Sequence, residues 1–385
     1  MFNDIISYIK SLYPHQQHIP LHAPVFTGND KKYVTDAIDS TFVSSVGKYV
    51  DRFEEMIRDY TGSRYAIATV NGTAALHMSL ILAGVKANDL VITQPLSFIA
   101  TCNGISYLNA QPVFVDIDSK TLGLSAEALD CFLKEKCFIK DSCCFHTISG
   151  KRIGACVPMH TFGHPSEIDK IMELCNRYFI PVVEDAAESI GSTYKGKQTG
   201  TFGLLGAYSF NGNKIITCGG GGVIVTNNDE LGKLAKHLTT QAKVPHRWEF
   251  KHDHIGYNYR MPNLNAALAC AQLEQLDTFI SNKRELAESY KLFFEKSHVR
   301  FFREPANAKS NYWLNAILLS SLEERNDFLT ASNDNGVMTR PAWTLMNKLY
   351  MFKDCVCEDI GNAEYIEDRL VNIPSSVRLF DSGKV

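Results

Sequence analysis

Seven short apolar runs rich in β-branched residues alternate with helical stretches between residues 65 and 225, and this rhythm constrains the fold most. Strands that are apolar along almost their whole length are typical of a parallel sheet covered by helices on both faces. The pattern therefore predicts an α/β fold with a mainly parallel sheet. The predicted strands are YAIATV at 65–70, LVIT at 90–93, VFVD at 113–116, ACVPM at 155–159, PVVED at 181–185, GAYSF at 206–210 and GVIV at 222–225.

The sequence outside the predicted sheet indicates an N-terminal helix before the large domain and a smaller domain after it. An N-terminal helix is expected within residues 1–20, ahead of a large domain over residues 21–265. Beyond Met261 and Pro262, apolar residues recur at helical spacing as far as Ile280, which predicts one long helix. This helix leads into a smaller C-terminal domain over residues 266–385.

Composition excludes several function classes. The chain has 385 residues, 45% of them hydrophobic and 21% charged, with a net charge of −3 and no broad basic field for nucleic acid or anionic membrane. No apolar run approaches the roughly 18 residues of a membrane-spanning helix, and Asp4 and Lys10 interrupt the apolar N-terminus. The 11 cysteines are scattered along a chain without a secretory signal, which predicts reduced thiols and a cytoplasmic protein. They also lack metal-ligand spacing, which predicts no metal site.

The segment Asn71-Gly72-Thr73 follows the first predicted strand and begins an apolar helix. Free backbone N–H groups and the helix dipole at such a turn favour a bound phosphate. Many strand-to-helix turns hold no ligand, so an ordinary tight turn stays open as the alternative.

Glu184 and Asp185 end a buried strand, at the sheet edge where α/β proteins bind ligands. The alternation of side chains places the two carboxylates on opposite faces. A carboxylate there either caps the next helix or pairs with a charged group such as the protonated ring nitrogen of pyridoxal phosphate.

Lys214 lies in an Asn- and Gly-rich turn that follows another strand, beginning at Ser209. Partial burial between two strands makes a lysine amine nucleophilic enough for a Schiff base, whereas the alternative is a solvated loop lysine. The four glycines at 219–222 precede a strand instead of following one, and no GxxxxGK[ST] occurs, which disfavours a nucleotide-binding loop. They predict a turn that passes close to the ligand.

Four motifs, in this order and spacing, resemble the DegT/DnrJ/EryC1/StrS sugar aminotransferases over nearly the whole chain: NGTAALHMSL, VEDAAESIGS, SFNGNKIITCGGGG and GYNYRMPNLNAALACAQLEQLD. The resemblance implies a fold-type-I pyridoxal phosphate enzyme. Its large domain has a mainly parallel seven-stranded sheet, and its smaller C-terminal domain is α+β. It also implies a homodimer with shared active sites.

The same resemblance implies that Lys214 is the catalytic Schiff-base lysine and that Asp185 pairs with the pyridine nitrogen. The other cofactor contacts it implies are Gly72, Thr73 and Ser209 at the phosphate, Phe98 against the ring, Glu188 near the ring hydroxyl, and Asn258 reaching the phosphate of the neighbouring subunit. By position alone, Phe98, Ser209 and Asn258 would be ordinary packing and turn residues.

Three stretches of sequence resemble the C4 aminotransferases of the legionaminic acid and bacillosamine type. They are the N-terminal stretch IPLHAPVFTGNDKKYVTDAIDSTFVSSVGKYV, the loop PMHTFGHP and the stretch GVMTRPAWTLMNK. This implies transfer of the amino group of L-glutamate to the C4 keto group of a nucleotide-linked 4-keto-6-deoxy sugar, for bacterial surface glycans such as lipopolysaccharide. A UDP-linked N-acetylhexosamine derivative is preferred, with a GDP- or dTDP-linked sugar, or reaction at C3, as the alternative. The implied substrate contacts are His246, Arg340 and Trp343.

Other functions fit less well. A pyridoxal phosphate-dependent sugar dehydratase of this fold resembles the family but has histidine at the lysine position, which Lys214 contradicts. A regulator would need a DNA-binding module, for which the residues before the fold leave no room. His160 and His164 suit a metal or catalytic pair, but a structural role near a strand end is favoured.

Overall fold

The computed structural model describes residues 2–378. Its strands are β1 (Tyr65–Thr69), β2 (Leu90–Thr93), β3 (Gln111–Phe114), β4 (Cys137–Lys140), β5 (Cys143–His146), β6 (Ile153–Val157), β7 (Val183–Asp185), β8 (Thr193–Tyr194), β9 (Lys197–Gln198), β10 (Leu205–Ser209), β11 (Gly222–Thr226), β12 (Lys243–Val244), β13 (Lys251–His252), β14 (Arg300–Phe301), β15 (Ala308–Lys309), β16 (Asn315–Leu318), β17 (Arg340–Pro341) and β18 (Leu370–Ile373). Its α-helices are α1 (Phe2–Leu12), α2 (Asp30–Asp39), α3 (Lys48–Thr61), α4 (Gly72–Leu82), α5 (Ile99–Ser106), α6 (Ala126–Lys136), α7 (Ile168–Arg177), α8 (Asp229–Thr239), α9 (Asn263–Leu273), α10 (Leu276–Phe294), α11 (Leu322–Asp334) and α12 (Gly361–Glu367).

The large sheet consists of two hydrogen-bonded groups, β1-β11-β10-β7 and β3-β2-β6. Parallel bridges at Cys156–Val182 and Met159–Asp185 join β6 to β7, which gives seven strands in one sheet. Only β11 runs antiparallel to its neighbours in this sheet. The predicted mainly parallel seven-stranded sheet is therefore confirmed, with strand ends shifted by at most two residues.

Alternating side chains of the sheet pack against helices on both faces. Ile67 and Ile224 belong to the same buried cluster as residues of α4 and α8. Their neighbours Ala66 and Val225 belong to another cluster, with residues of α3 and α9. Burial on both faces explains why the strands are almost continuously apolar.

A second, antiparallel sheet has the order β14-β16-β18-β17. Helix α1 packs in the core of this unit, where Ile5 and Ile9 share a cluster with Tyr290 and Phe328. Within residues 2–378, no helix has the length and apolarity needed to cross a bilayer.

The single helix predicted up to Ile280 is wrong, because the chain forms α9 and α10 with a break at Glu274 and Gln275. Both side chains at the break bind the region from Thr27 to Arg52, which includes α2 and the start of α3. Glu274 accepts hydrogen bonds from Tyr33 and Arg52 at 2.8 and 2.7 Å. Apolar periodicity continues through the break and so did not reveal it.

Candidate active site

A cavity of about 370 Å³ lies at the carboxyl end of the parallel strands, a size typical of small-ligand sites. Because β1, β7 and β10 are parallel, the residues that follow them meet at one edge of the sheet. The cavity brings together eight of the predicted site residues: Gly72, Thr73, Phe98, Asp185, Glu188, Ser209, Lys214 and Trp343.

A larger groove of about 700 Å³ includes Glu167, Lys170, Glu295 and Arg303 but none of the predicted site residues. These four charged side chains form two local ion pairs, with Lys170 at 2.7 Å from Glu167 and Arg303 at 2.8 Å from Glu295. The smaller cavity is therefore the better candidate, since its polar groups converge on one space.

The turn before α4 forms one end of the cavity. The Asn71 side chain caps the helix by accepting a hydrogen bond from the Ala74 N–H at 2.8 Å. A Cβ atom on Gly72 would lie 2.7 Å from the Cβ of Ser209, so only glycine allows this approach. The first N–H groups of a helix have no partner within it, and Gly72 and Thr73, the first two residues of α4, line the cavity.

The glycine run packs against this same turn. A Cβ on Gly222 would lie 2.4 Å from the Asn71 carbonyl oxygen, so the close approach is to the backbone. None of the four glycines lines the cavity, which differs from the predicted passage beside the ligand.

Asp185 is buried at the end of β7. Its carboxylate accepts hydrogen bonds from the Thr101 hydroxyl at 2.6 Å and from the Ala187 N–H at 3.1 Å. Burial raises the pKa of Asp185 above its usual range, and both hydrogen bonds oppose that shift. Thr101 was missed in the sequence, although it lies only three residues after Phe98, about one helical turn along the chain.

Lys214 and Glu188 form an ion pair inside the cavity, with 3.2 Å between Nζ and Oε1. The other Glu188 oxygen accepts a hydrogen bond from the Phe162 N–H at 2.9 Å. Burial raises the pKa of Glu188 to about 7, while the Lys214 charge and the Phe162 N–H act in the opposite direction. Phe162 has a φ of 57°, an uncommon conformation for a bulky residue, so the surrounding structure holds this donor in place.

The aromatic rings of Phe98, Trp313 and Trp343 also line the cavity. Phe98 is 50% exposed, and its ring centroid lies 6.3 Å from that of Trp343. Trp343 also packs against Phe162, with 5.0 Å between centroids. Trp313 lies beneath Lys214, and sequence reasoning missed it because nothing in the stretch SNYWLNAI marks a contact with a lysine 99 residues away.

Three predicted contacts lie outside this cavity in the single chain. Asn258 is exposed and forms an antiparallel bridge with Thr240. His246 is exposed in the loop between β12 and β13. Arg340 is also exposed, and its guanidinium donates to the side chain of Asn333 at 3.0 Å.

The two histidines of PMHTFGHP are buried away from the cavity lining. His160 lies 3.0 Å from Glu184, which faces away from the cavity and accepts the N–H of Gly200 at 2.7 Å. His164 lies 2.9 Å from the Ser310 hydroxyl, and burial lowers its pKa to about 4. These contacts are structural, with His164 neutral near pH 7.

The chain is similar to known proteins along most of its length. A model of the DegT/DnrJ/EryC1/StrS aminotransferase family matches residues 25–383. GDP-perosamine synthase of Escherichia coli O157:H7 is 37% identical over 364 residues, covering 93% of each chain, and that of Vibrio cholerae is 34% identical, covering 87% of each. The crystal structure of aminotransferase TlmJ from Streptoalloteichus hindustanus is 25% identical with a TM-score of 0.84, over 94% of this chain and 95% of that one. The family match includes every residue that lines the cavity.

Proposed function

Because this chain belongs to the DegT/DnrJ/EryC1/StrS aminotransferase family, we propose that it transfers the amino group of L-glutamate to C4 of a GDP-linked 4-keto-6-deoxy sugar. Members of this family are sugar aminotransferases that depend on pyridoxal phosphate, and so is this chain. The meeting of Lys214 and Asp185 in one cavity is the observation that carries the proposed mechanism.

The cavity residues fit pyridoxal phosphate. The turn at Gly72 and Thr73 offers helix N-terminal N–H groups to a phosphate, and the Ser209 hydroxyl lies beside it. Asp185 supplies a buried carboxylate for a ring nitrogen, and Phe98 supplies a partly exposed ring for stacking. When bound, the cofactor supplies an electron sink for carbanion chemistry.

Lys214 is the residue that moves the proton in this proposal. Its amine is partly buried, which excludes most bulk water from the atom that accepts and returns the proton. Glu188 holds the amine from one side, and the carboxylate of Asp185 provides the negative charge that keeps a ring nitrogen protonated. Glu188 therefore acts on the lysine amine, and Asp185 acts on the ring nitrogen.

The named relatives support GDP as the carrier of the sugar. Both GDP-perosamine synthases, by their name, make an amino sugar carried on GDP, and perosamine carries its amino group at C4. The UDP-linked N-acetylhexosamine derivative preferred from the sequence lacks this support. Both nucleotides nevertheless belong in the test.

We further propose that the active form is a homodimer in which Asn258 and the loop containing His246 complete the neighbouring cavity. Both residues are exposed and lie outside the cavity of their own chain. Arg247 in this loop and Lys243 at its start add positive charge, which suits the diphosphate of a nucleotide sugar, whereas Lys251 pairs with Glu249 at 2.6 Å. Trp343 inside the cavity and Arg340, exposed outside it, are the proposed sugar contacts.

The decisive experiment supplies ¹⁵N-glutamate with GDP-, UDP- and dTDP-linked 4-keto-6-deoxy sugars in parallel, and measures the mass of each nucleotide sugar. The proposal predicts that ¹⁵N enters the GDP-linked sugar most efficiently, as judged by kcat/KM. Preferential labelling of the UDP- or dTDP-linked sugar would refute the choice of nucleotide, and no labelling of any would refute the reaction. NMR of the product locates the new amino group at C4 or C3.

A further inference from the structure

Trp313 brings the second sheet into contact with Lys214. It lies two residues before β16, which pairs with both β14 and β18 in that sheet. The Lys214 Nζ lies 4.1 Å from the centroid of the Trp313 ring, well within the range of a cation–π contact. The lysine side chain is thus held between this ring and the Glu188 carboxylate.

The Trp313 ring is fixed on several sides. Trp313 is 4% exposed, and its indole N–H donates to the Asn213 carbonyl oxygen at 2.7 Å. Its backbone N–H donates to the Asn311 side chain at 2.8 Å. Its carbonyl accepts a hydrogen bond at 3.1 Å from Lys283, a lysine that is itself fully buried.

The same framework fixes Glu188. The Asn311 amide group donates to the carbonyl oxygens of Glu188 and Ile190, both at 2.9 Å. One buried asparagine therefore sets the backbone positions of both groups that contact the Lys214 amine. Such a framework is needed when an amine has to be held within a fraction of an ångström of its productive place.

We propose that Trp313 is a positioning residue, whose ring face holds the Lys214 ammonium whenever that amine is not covalently bound to the cofactor. A ring face attracts a cation but has no lone pair that takes its proton, so it orients the amine without competing for the proton. Glu188 alone leaves the amine free to rotate about its contact, and the ring supplies the second constraint. This inference rests on the proposed role of Lys214.

A double-mutant cycle on the cofactor-free enzyme tests the contact directly. Trp313→Leu and Lys214→Met are made singly and together, and the midpoint of thermal unfolding is measured for each. We expect Trp313→Leu to lower Tm more when residue 214 is lysine than when it is methionine. Phe302→Leu removes another buried ring outside the cavity and should lower Tm equally in both backgrounds. Equal losses for Trp313→Leu in the two backgrounds would overturn the proposal.

Turnover by the loaded enzyme gives a second, independent measurement. Trp313→Leu is expected to lower kcat by roughly 10- to 100-fold with little change in the KM for the sugar, because the amine is misplaced and not the substrate. Trp313→Phe keeps a ring face and should recover most of kcat. If the Phe and Leu variants lose kcat equally, the ring face has no positioning role.

The positioning role of Trp313 and the proposed role of Lys214 can be tested separately. Borohydride trapping of the wild-type enzyme shows whether Lys214 bonds to the cofactor, whatever Trp313 does. The Tm cycle uses protein without cofactor and does not depend on that outcome.

Discussion

The Nζ of Lys214 lies 3.2 Å from the Oε1 of Glu188, with the lysine side chain 11% exposed and the glutamate side chain 1% exposed. Burial of a carboxylate favours its protonated form, whereas the neighbouring amine favours the charged form. Burial is the stronger of the two effects on Glu188, and its pKa rises to about 7. The protonation of Glu188 is therefore sensitive to pH near neutrality.

Glu188→Gln should change how the stability of the cofactor-free enzyme depends on pH. The folded pKa of about 7 lies above the unfolded value of about 4.3, so the folded state binds more protons in between. The Glu188 carboxyl therefore contributes its full stabilisation to the wild-type protein below about pH 4.3. This contribution is lost as the pH rises from there through 7. The variant lacks this loss, so its free energy of unfolding relative to wild type should rise by on the order of 2–3 kcal/mol between pH 5 and 8.

Urea unfolding at several pH values checks this expectation. The exposed Glu288→Gln is the matched control and should follow the wild-type pH dependence. Parallel curves for wild type and Glu188→Gln would show that Glu188 does not titrate in this range.

Asp185→Asn should retain the cofactor but lose turnover. The amide preserves the shape of the side chain and removes the negative charge that keeps a ring nitrogen protonated. We expect kcat to fall by at least about 100-fold, the scale of a lost proton-transfer contribution. Cofactor absorbance and steady-state kinetics measure the two properties separately.

Thr101→Val is the companion variant, since it removes the 2.6 Å hydrogen bond and leaves the Asp185 charge in place. Its loss of kcat should be smaller than that of Asp185→Asn. Wild-type turnover by Asp185→Asn would eliminate the proposed role of this carboxylate.

Gly72→Ala should weaken cofactor binding. The added Cβ would lie 2.7 Å from the Cβ of Ser209, so the turn or the serine has to move away from the proposed phosphate position. Overpacking of this kind costs about 1–3 kcal/mol, and a loss of that size in binding free energy raises the Kd of pyridoxal phosphate by about 5- to 150-fold. Gly361→Ala, where a Cβ meets only an Asp359 oxygen at 3.6 Å, should leave Kd unchanged. An unchanged Kd for Gly72→Ala would move the phosphate elsewhere.

The sheet and most of the cavity were predictable because both depend on order along the chain. Parallel strands place their carboxyl ends together, so the residues after β1, β7 and β10 meet whatever the details of packing. Trp313 and Phe162 were not predictable in the same way. Trp313 approaches Lys214 from another sheet, and Phe162 acts through its backbone N–H, which carries no side-chain signature.

Mixed dimers should reveal whether Asn258 serves the neighbouring cavity. Lys214→Ala disables the cavity of its own chain, and Asn258→Asp places a negative charge where the proposal puts a phosphate. If the sites are shared, a mixed dimer has one intact site, and random mixing should restore about a quarter of wild-type activity. Both parent proteins should be inactive. Verified mixed dimers without activity would place Asn258 in the cavity of its own chain, and an active Asn258→Asp parent would place it in neither cavity.

Borohydride reduction of the cofactor-loaded enzyme, followed by peptide mass spectrometry, tests most directly whether Lys214 carries the cofactor. We expect the reduced cofactor on the peptide that contains Lys214. Before reduction, the enzyme should show an absorbance band at about 420 nm that Lys214→Ala abolishes. A label on another lysine, or a band that persists in Lys214→Ala, would contradict the role assigned to Lys214.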